Sequence, residues 1–330
     1  MRILKVWDGE YPWDVRTEKV CRALALGGHD VHMVARNRDH RILREALEEC
    51  TVHRMKPWKA LGRPLDAASQ FPAFFNPRWS GLMRRVGIET QSELVLVRDL
   101  PLAPTAIHLG RRLGIPVVLD MAENYPAMIR DLWTTGSTRF GDSLVRNPRA
   151  VEAVERWSVQ RVDHIVVVVE ESGARLEKDL GVPRERITVV GNTPSRDRLE
   201  AFPPRTPATF QGERLEMVYL GLLEEARGVG TVLDALAILR DQDVPAHFTL
   251  IGDGRARETF SAQARRLGLG PTHLTMTGYL PYAEALEWVA RAHVGLIPHL
   301  ANESWNTTIP NKLFDYMAAG LAVVTSDAAP

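Results

Sequence analysis

The segment PHLANESWNTTIPNKLFDYMAAGLAVVTSD, residues 298–327, contains residue types whose spacing suits the binding of a phosphate. Pro310 and Asn311 open a predicted short helix, with Asn311 as its cap, and Gly320 closes it. The first turn of a helix carries unpaired N–H groups and the positive end of the helix dipole, and Lys312 adds a full positive charge there. The pattern therefore predicts an anion site at the start of this helix.

Asp315 lies one turn further along the same helix. A carboxylate would repel phosphates, so we expect it to contact a neutral group, and the paired hydroxyls of a ribose fit. Together with Lys312, this residue describes half of a site for a nucleoside diphosphate. The alternative is that a capped helix with an early acidic residue is simply a stable helix.

The elements that must position these residues follow from the alternation of apolar runs with helical patterns, which is typical of βαβ units and parallel sheets. We expect an α/β protein of two doubly wound domains facing each other across a cleft, comprising residues 1–195 and 214–330, with a linker at 196–213. The predicted strands are residues 3–7, 31–35, 94–97, 116–120, 164–170, 187–190, 215–220, 247–251, 273–277, 293–297 and 321–325, and the clearest helices are 15–26, 102–113 and 150–162.

Glycine-containing turns follow three strands of the second domain, beginning at Gly221, at Gly252 with Gly254, and at Gly278. In open parallel sheets, ligands bind outside the carboxyl ends of the strands. The ordered series of turns ahead of the helix start at Asn311 therefore favours the ligand interpretation of that helix.

The charge balance excludes a general nucleic-acid binder, because the 41 basic residues are matched by 41 acidic ones. Cys21 and Cys50 have no metal-like or redox-like spacing and are expected to be reduced thiols. No signal peptide and no apolar run of about 20 residues is present. We expect a cytoplasmic protein, with peripheral association at the inner face of the plasma membrane as a further hypothesis.

That hypothesis rests on residues 53–90, which mix arginine and lysine with aromatic residues and contain only two acids, Asp66 and Glu89. Basic residues beside exposed aromatic side chains suit a membrane surface. The alternative is an ordinary connection whose aromatic side chains fill the core. Trp58 and Trp79 are the aromatic residues whose removal would distinguish these interpretations.

The motifs, taken in order, resemble one family. The segments GLLEEARGVGTVLDAL, LIGDG, MTGYLPYAEALEWVARAHVGLIP and PNKLFDYMAAGLAVVTSD resemble the donor domain of retaining glycosyltransferases with the two-Rossmann GT-B fold, family GT4. The opening MRILKVWDGEYPWDVRTEKVCRALALGGHDVHMVARN and the later ITVVGNTP are similar to the family's first domain and its crossover. The resemblance covers nearly the whole chain and implies a bacterial polysaccharide or cell-envelope transferase.

The resemblance also implies donor-site roles. Arg227 and Lys312 would clasp the diphosphate, Asp315 would bind the ribose, and Leu280 would meet the base. Asn311 and Leu313 would offer amides to the β-phosphate or the sugar, and Gly252, Gly254 and Pro298 would line the site. Thr307 stands where the family has a sugar-contacting glutamate, and Leu222 where it usually has the first basic residue of the diphosphate clasp.

The first domain departs from the family at Ala122, where many relatives carry a histidine that positions the sugar. Glu123, Asn124 or the pair Arg98 and Asp99 could take over, or the donor's own phosphate could suffice. Accordingly, Glu123 and Asp99 are candidate catalytic residues, and Arg98, Asn124 and Arg16 are candidates for contacting the acceptor.

The implied reaction moves a sugar from a UDP- or GDP-sugar to a hydroxyl acceptor with retention, without a metal or other cofactor. A lipid-linked or polysaccharide intermediate is the expected acceptor. Two alternatives stay open: a nucleotide-sugar-binding subunit without turnover and a nucleotide-sugar epimerase. Because the family pattern continues past the last predicted strand, we expect the second domain to be incomplete at Pro330.

Overall fold

The computed structural model describes residues 1–12, 14–58, 62–70, 73–134, 147–194, 200, 202 and 214–327. The chain divides into two compact units, Met1–Gly191 and Asn192–Pro330. The predicted end of the first domain at residue 195 lies shortly after this division. The predicted linker, residues 196–213, lies outside the described residues apart from Glu200 and Phe202, and so does the end of the predicted second domain at 328–330.

The first unit contains an eight-stranded sheet in the order β3-β4-β2-β1-β5-β6-β7-β8. All neighbouring strands are parallel except β3, which is antiparallel to β4. The strands are β1 Arg2–Val6, β2 Asp30–Ala35, β3 Arg44–Ala46, β4 Thr51–Arg54, β5 Leu94–Arg98, β6 Val117–Met121, β7 His164–Val167 and β8 Ile187–Val189.

The helices of the first unit begin and end at residues that suit those positions. Asp14, Asn76 and Asn147 accept hydrogen bonds from first-turn N–H groups. The helices are α1 Val15–Leu26, α2 Gly62–Ser69, α3 Pro77–Glu89, α4 Ala103–Leu113, α5 Tyr125–Thr134, α6 Pro148–Val159 and α7 Glu170–Leu180.

The second unit contains a five-stranded parallel sheet in the order β11-β10-β9-β12-β13. Its strands are β9 Leu215–Leu220, β10 Ala246–Ile251, β11 Leu274–Gly278, β12 Val294–Ile297 and β13 Ala322–Thr325. Its helices are α8 Val229–Asp241, α9 Arg257–Arg266, α10 Tyr282–Arg291 and α11 Asn311–Ala318. All predicted strands are present, with ends shifted by a few residues, and the doubly wound α/β prediction is confirmed.

Two strands, β3 and β4, were missed by the sequence analysis. β3 is three residues long and reads REA, with no apolar alternation. β4 takes the first two residues of the segment 53–90, because His53 and Arg54 complete a strand paired with β2. Strands as short as these are specified by the strands they pair with rather than by their own composition.

The described part of residues 53–90 also contains α2 and α3, and its aromatic side chains divide between core and surface. Trp79 is fully buried, so its proposed role at a membrane surface is wrong. Trp58 and Phe75 are 49% and 61% exposed. Phe71 and Lys59 lie outside the described residues. Nowhere in the described part of the chain is there a helix long and apolar enough to cross a bilayer.

Candidate functional site

The carboxyl edge of the second sheet gathers the predicted donor residues. Gly221, Gly252 and Pro298 each come directly after a strand, and Leu280 comes two residues after β11. Helix α11 leads into β13, so its first turn lies at this same edge. The helix begins at Asn311 after Pro310, which has no side-chain capping bond, so the prediction of Asn311 as the cap is wrong.

Lys312 is the best-defined feature of this edge. Its side chain is only 6% exposed, and its ammonium has no hydrogen-bond partner among the described residues. Nζ lies 3.5 Å from the ring centroid of Tyr219, and a Cβ added to Gly221 would be 3.0 Å from it. Burial lowers the pKa of Lys312 well below its usual value, and the charge of Arg227 lowers it further, while Asp315 opposes the shift.

Burying an ammonium group without a hydrogen-bond partner costs free energy, and a bound anion would offset that cost. Arg227, in a 3₁₀ turn at residues 225–227, supplies a second positive charge near the same point. The two cations predicted for the diphosphate are therefore brought together, and no carboxylate among the described residues forms a hydrogen bond with Lys312.

The backbone comes close to itself at two glycines beside these cations. Gly252 has φ 137°, and a Cβ there would lie 1.9 Å from the carbonyl oxygen of Gly221. Gly228 has φ 68°, and a Cβ there would lie 1.7 Å from the carbonyl oxygen of Pro298. Only glycine fits these positions, because any side chain would collide with the neighbouring backbone. The glycines therefore let the segments after the strands approach one another closely.

Asp315 is 9% exposed and accepts a 2.5 Å hydrogen bond from the hydroxyl of Tyr282 on α10. Sequence reasoning missed Tyr282, which lies 33 residues away, because nothing local links it to α11. The predicted ribose contact of Asp315 stays a prediction. If a ribose binds there, its hydroxyls would either add to the hydrogen bond from Tyr282 or replace it.

The other predicted donor residues differ in what they can offer. Thr307 is buried, and its hydroxyl donates to the carbonyl oxygens of Glu303 and Ser304, both at 3.2 Å. The N–H of Leu313 donates to the Pro310 carbonyl at 3.1 Å. The hydroxyl proton of Thr307 and the N–H of Leu313 are thus engaged within the chain, whereas the ammonium of Lys312 has no hydrogen-bond partner among the described residues.

Two aromatic residues beside this site were not singled out from the sequence. The ring of His299 stacks on Trp305 at 3.8 Å with an interplanar angle of 24°. The guanidinium carbon of Arg227 lies 4.6 Å from the Trp305 ring centroid. Both residues lie in the loop after β12, at the predicted ligand edge, and this position was the only sequence feature that pointed to them. A single histidine in a loop does not by itself indicate a binding role.

In the first unit, Asp120 at the end of β6 is the centre of a buried ion cluster. Lys5 Nζ is 3.1 Å from one carboxylate oxygen, and Arg16 Nε and Nη2 are 3.1 and 2.6 Å from the other. Burial alone would raise the pKa of Asp120, but Lys5 and Arg16 outweigh it and hold that pKa below its usual range. Arg16 also donates to the Val190 carbonyl at 2.9 Å, so it has a structural role, and its predicted acceptor contact stays a prediction.

Arg98 and Asp99 lie beside this cluster, at the carboxyl end of β5. Arg98 Nε donates to Asp99 at 3.2 Å, and Arg98 Nη1 is 3.0 Å from Asp14. Burial raises the pKa of Asp99 to about 6, although Arg98 opposes the shift. Asp99 also has φ 57°, a strained conformation for a non-glycine residue that often marks a functional site.

The residues after β6 occupy different positions. The Ala122 N–H donates to Asp99 at 2.9 Å, and Glu123 is exposed. Asn124 is 2% exposed; its carbonyl oxygen accepts from the Ala127 N–H at 3.2 Å at the start of α5, while its amide nitrogen has no partner among the described residues. The structure thus brings Asp99, Ala122 and Asn124 to one edge and leaves Asn124 with a free donor.

Within the described ranges, no group of three or more His, Cys, Asp or Glu side chains could hold a metal ion. Cys21 and Cys50 are both buried free thiols.

The chain matches two protein families, one in each half. Residues 14–193 match the family described as "Glycosyl transferase 4-like domain", and residues 214–330 match "Glycosyl transferases group 1". The 2-deoxystreptamine glucosyltransferase of Streptomyces kanamyceticus is 28% identical over 159 residues, which are 46% of this chain and 41% of that protein. The glycogen synthase of Mycobacterium tuberculosis is 26% identical over 314 residues, which are 90% of this chain and 72% of that protein.

Among solved structures, HepE of Anabaena in complex with UDP-glucose has the same fold, with a TM-score of 0.65 at 13% identity. That similarity covers 100% of this chain and 81% of HepE. With its first unit matched over residues 14–193 and its two Rossmann-like domains, the chain belongs to the GT-B glycosyltransferases of the GT4 type.

Proposed function

We propose that this protein transfers a sugar from a nucleotide diphosphate sugar to a hydroxyl acceptor, with retention at the anomeric carbon. The observation that carries the proposal is Lys312, a buried ammonium without a hydrogen-bond partner in the described chain, held at the strand edge with Arg227. A diphosphate is the ligand that would complete both cations, and family membership supports the same assignment.

The main catalytic task in this reaction is to stabilise the leaving diphosphate. Breaking the bond between the anomeric carbon and the phosphate oxygen develops negative charge on the diphosphate. Lys312, Arg227 and the N–H groups of Asn311 and Lys312 at the start of α11 would stabilise that charge. In a retaining reaction, the leaving phosphate oxygen takes the acceptor's proton on the face where the new bond forms, so a separate strong base is not required.

The remaining parts of the donor are assigned by position. Asp315 would bind the ribose hydroxyls, and the backbone at Leu280 would meet the base. Because HepE was solved with UDP-glucose, UDP-sugars are the first donors to test, followed by GDP-sugars.

The acceptor would bind to the first unit. Asp99, with a pKa of about 6, and the amide nitrogen of Asn124 are the groups at its carboxyl edge that could contact a hydroxyl. A lipid-linked or polysaccharide intermediate is the acceptor class we propose, and the exposed Trp58 and Phe75 support a location at a lipid surface.

The first experiment measures donor binding by titration calorimetry with UDP-glucose, UDP-N-acetylglucosamine and GDP-mannose. We expect one of them to bind to the wild type, and Lys312→Met to reduce its affinity at least tenfold. Lys178→Met, which removes an exposed lysine from α7, is the matched control and should bind as the wild type does. Equal affinity in Lys312→Met and wild type would refute the assignment of Lys312.

Asp315 is tested in the same assay. Asp315→Ala should weaken binding by roughly 1 to 3 kcal/mol because ribose hydrogen bonds are lost. Asp241→Ala, which removes an exposed acidic residue at the end of α8, should have no effect. Unchanged affinity in Asp315→Ala would show that the ribose binds elsewhere.

Two other functions are distinguished by products. A mass-spectrometric assay with the bound donor and lysate lipids should yield a glycosylated lipid or polysaccharide fragment. A nucleotide-sugar-binding subunit would bind donor without transfer or hydrolysis, and an epimerase would convert the donor without any acceptor. The engaged Thr307 and the apolar Ala122 are the features that favour the binding-subunit alternative.

A further inference from the structure

A small cavity opens beside the first turn of α11, on the side of β12 and β13. It has a volume of about 80 Å³ and is lined by His299, Trp305, Thr308, Pro310, Leu313 and Ser326, among others. This volume is enough for several water molecules. It can therefore accept the hydroxyl groups on one edge of a sugar ring.

The wall of the cavity contains a second unpartnered polar group, independent of Lys312. His299 is 3% exposed, and its Nε2 has no hydrogen-bond partner among the described residues. A buried nitrogen without a partner costs free energy that a ligand hydroxyl would recover. Stacking on Trp305 at 3.8 Å holds the plane of the imidazole, so the direction of Nε2 is defined before a ligand arrives.

The charge state of His299 selects the kind of ligand. Burial, together with the smaller effect of the charges of Lys312 and Arg227, lowers the pKa of His299 to about 2, so the imidazole is neutral at physiological pH. A neutral imidazole does not attract an anion, but it forms hydrogen bonds with a hydroxyl group. The cavity also combines apolar walls, such as Leu313, with the hydroxyls of Thr308 and Ser326, which suits a polyhydroxylated ring.

The cavity is next to the predicted diphosphate position. Pro310 and Leu313 line it and flank Lys312 in the sequence, and Trp305 contacts Arg227 as well as His299. A group attached to a diphosphate held by Lys312 and Arg227 would thus reach the cavity.

We propose that this cavity reads the transferred sugar, with His299 Nε2 hydrogen-bonding to one sugar hydroxyl and Trp305 positioning the imidazole. The inference rests on the proposed donor function and adds the residue that determines sugar specificity. It assigns that role to the loop after β12, whereas the sequence had pointed to Thr307, whose hydroxyl is engaged within its own turn.

The experiment compares the tightest-binding nucleotide sugar of the three-donor panel with its monodeoxy analogues and with the free nucleoside diphosphate. We expect the wild type to bind one deoxy analogue at least tenfold more weakly than the parent. His299→Ala should bind the parent and that analogue equally, with unchanged affinity for the free diphosphate. His299→Gln, which keeps a hydrogen-bonding group, should restore part of the discrimination.

His273→Ala, which removes a histidine at the amino end of β11, is the matched control and should discriminate as the wild type does. Thermal melting of each variant checks that it is folded, and a destabilised His299→Ala leaves His299→Gln to carry the comparison. If His299→Ala and His299→Gln both discriminate like the wild type, the assignment of His299 is overturned. A wild type that binds neither diphosphate nor nucleotide sugar would instead refute the proposed function.

Discussion

At the residue scale, Lys312 is the side chain whose surroundings are least explained by folding alone. It is buried, it has no hydrogen-bond partner in the described chain, and Arg227 is close enough to lower its pKa. Asp120 in the first unit shows the opposite arrangement, because Lys5 and Arg16 complete its charge within the fold. The charge of Asp120 is therefore compensated within the fold, whereas we propose that a bound diphosphate compensates the charge of Lys312.

This contrast predicts a stability effect of Lys312→Met. Methionine has a similar length and needs no hydrogen bond, so removing the unpaired ammonium should raise the free energy of unfolding by about 1 to 3 kcal/mol in the absence of donor. Urea denaturation measures this change, with Lys178→Met as the control. A clear loss of stability in Lys312→Met would mean that the contact with Tyr219 is structural.

Asp99 predicts a pH dependence at the same scale. Its pKa of about 6 means that it loses its proton as the pH rises through that value. If the carboxylate contacts the acceptor hydroxyl, the transfer rate should rise between about pH 5 and pH 7, and this limb should vanish in Asp99→Asn. Rates measured across this range for both proteins test the role, and an identical limb in Asp99→Asn would exclude it.

Burial of Asp99 also has a consequence for stability. Its folded pKa exceeds the unfolded value of about 3.9, so its contribution to stability is present below the unfolded pKa and is lost as the pH rises through about 6. The free energy of unfolding of Asp99→Asn should therefore decrease less than that of the wild type as the pH rises through about 6. Because denaturation does not depend on catalysis, this measurement detects the titration of Asp99 independently of the transfer rate.

At the scale of elements, each sheet places its functional groups at the carboxyl ends of its strands. In the second unit, β9, β10 and β12 end at glycine or proline turns, and α11 adds its first turn to that edge. In the first unit, β5 and β6 bring Asp99 and Ala122 within 2.9 Å of each other. The parallel arrangement explains why residues far apart in sequence meet at one edge.

The segment that contains α2 and α3 carries a prediction about membranes. Trp58 is exposed beside Arg78, which stacks on it at 4.2 Å, and Phe75 is exposed with φ 56°. The double variant Trp58→Ser and Phe75→Ser should reduce binding to vesicles of phosphatidylglycerol and phosphatidylcholine several-fold, because amphipathic anchors lose their apolar contact. Vesicle co-sedimentation measures it.

Ile238→Ser is the matched control for that experiment, since Ile238 is 57% exposed on α8 of the other unit. Equal vesicle binding by the wild type and the double variant would leave α2 and α3 as an ordinary connection. If Ile238→Ser binds vesicles as the wild type does and the double variant does not, the membrane contact is assigned to Trp58 and Phe75.

At the scale of the whole molecule, the two units have separate chemical roles in the proposal. In the described chain, the second unit supplies Lys312, whose ammonium has no hydrogen-bond partner, and the small cavity. The first unit supplies Asp99, whose pKa is raised, and the amide nitrogen of Asn124, which has no hydrogen-bond partner among the described residues. Retention predicts the stereochemistry of the product. Proton NMR of the first-formed glycoside should show the same anomeric configuration as the donor sugar, and an inverted product would refute a retaining reaction.

The sequence alone determined the order of the strands other than β3 and β4, because strand patterns are local. Valine- and isoleucine-rich runs marked these strands, and the spacing of Lys312 and Asp315 in one helix led to their prediction as donor contacts. Strands β3 and β4 were not predicted, since the three residues of β3 have no pattern of their own and depend on pairing with β4.

Only the tertiary structure decided which candidates are free to bind. Arg16 is held by Asp120, 104 residues away, and Asp315 by Tyr282, whereas Lys312 Nζ and His299 Nε2 have no hydrogen-bond partner in the described chain. Residue type and spacing show what a side chain could bind. Whether the protein has already used that capacity depends on long-range contacts, which are formed only when distant segments pack together.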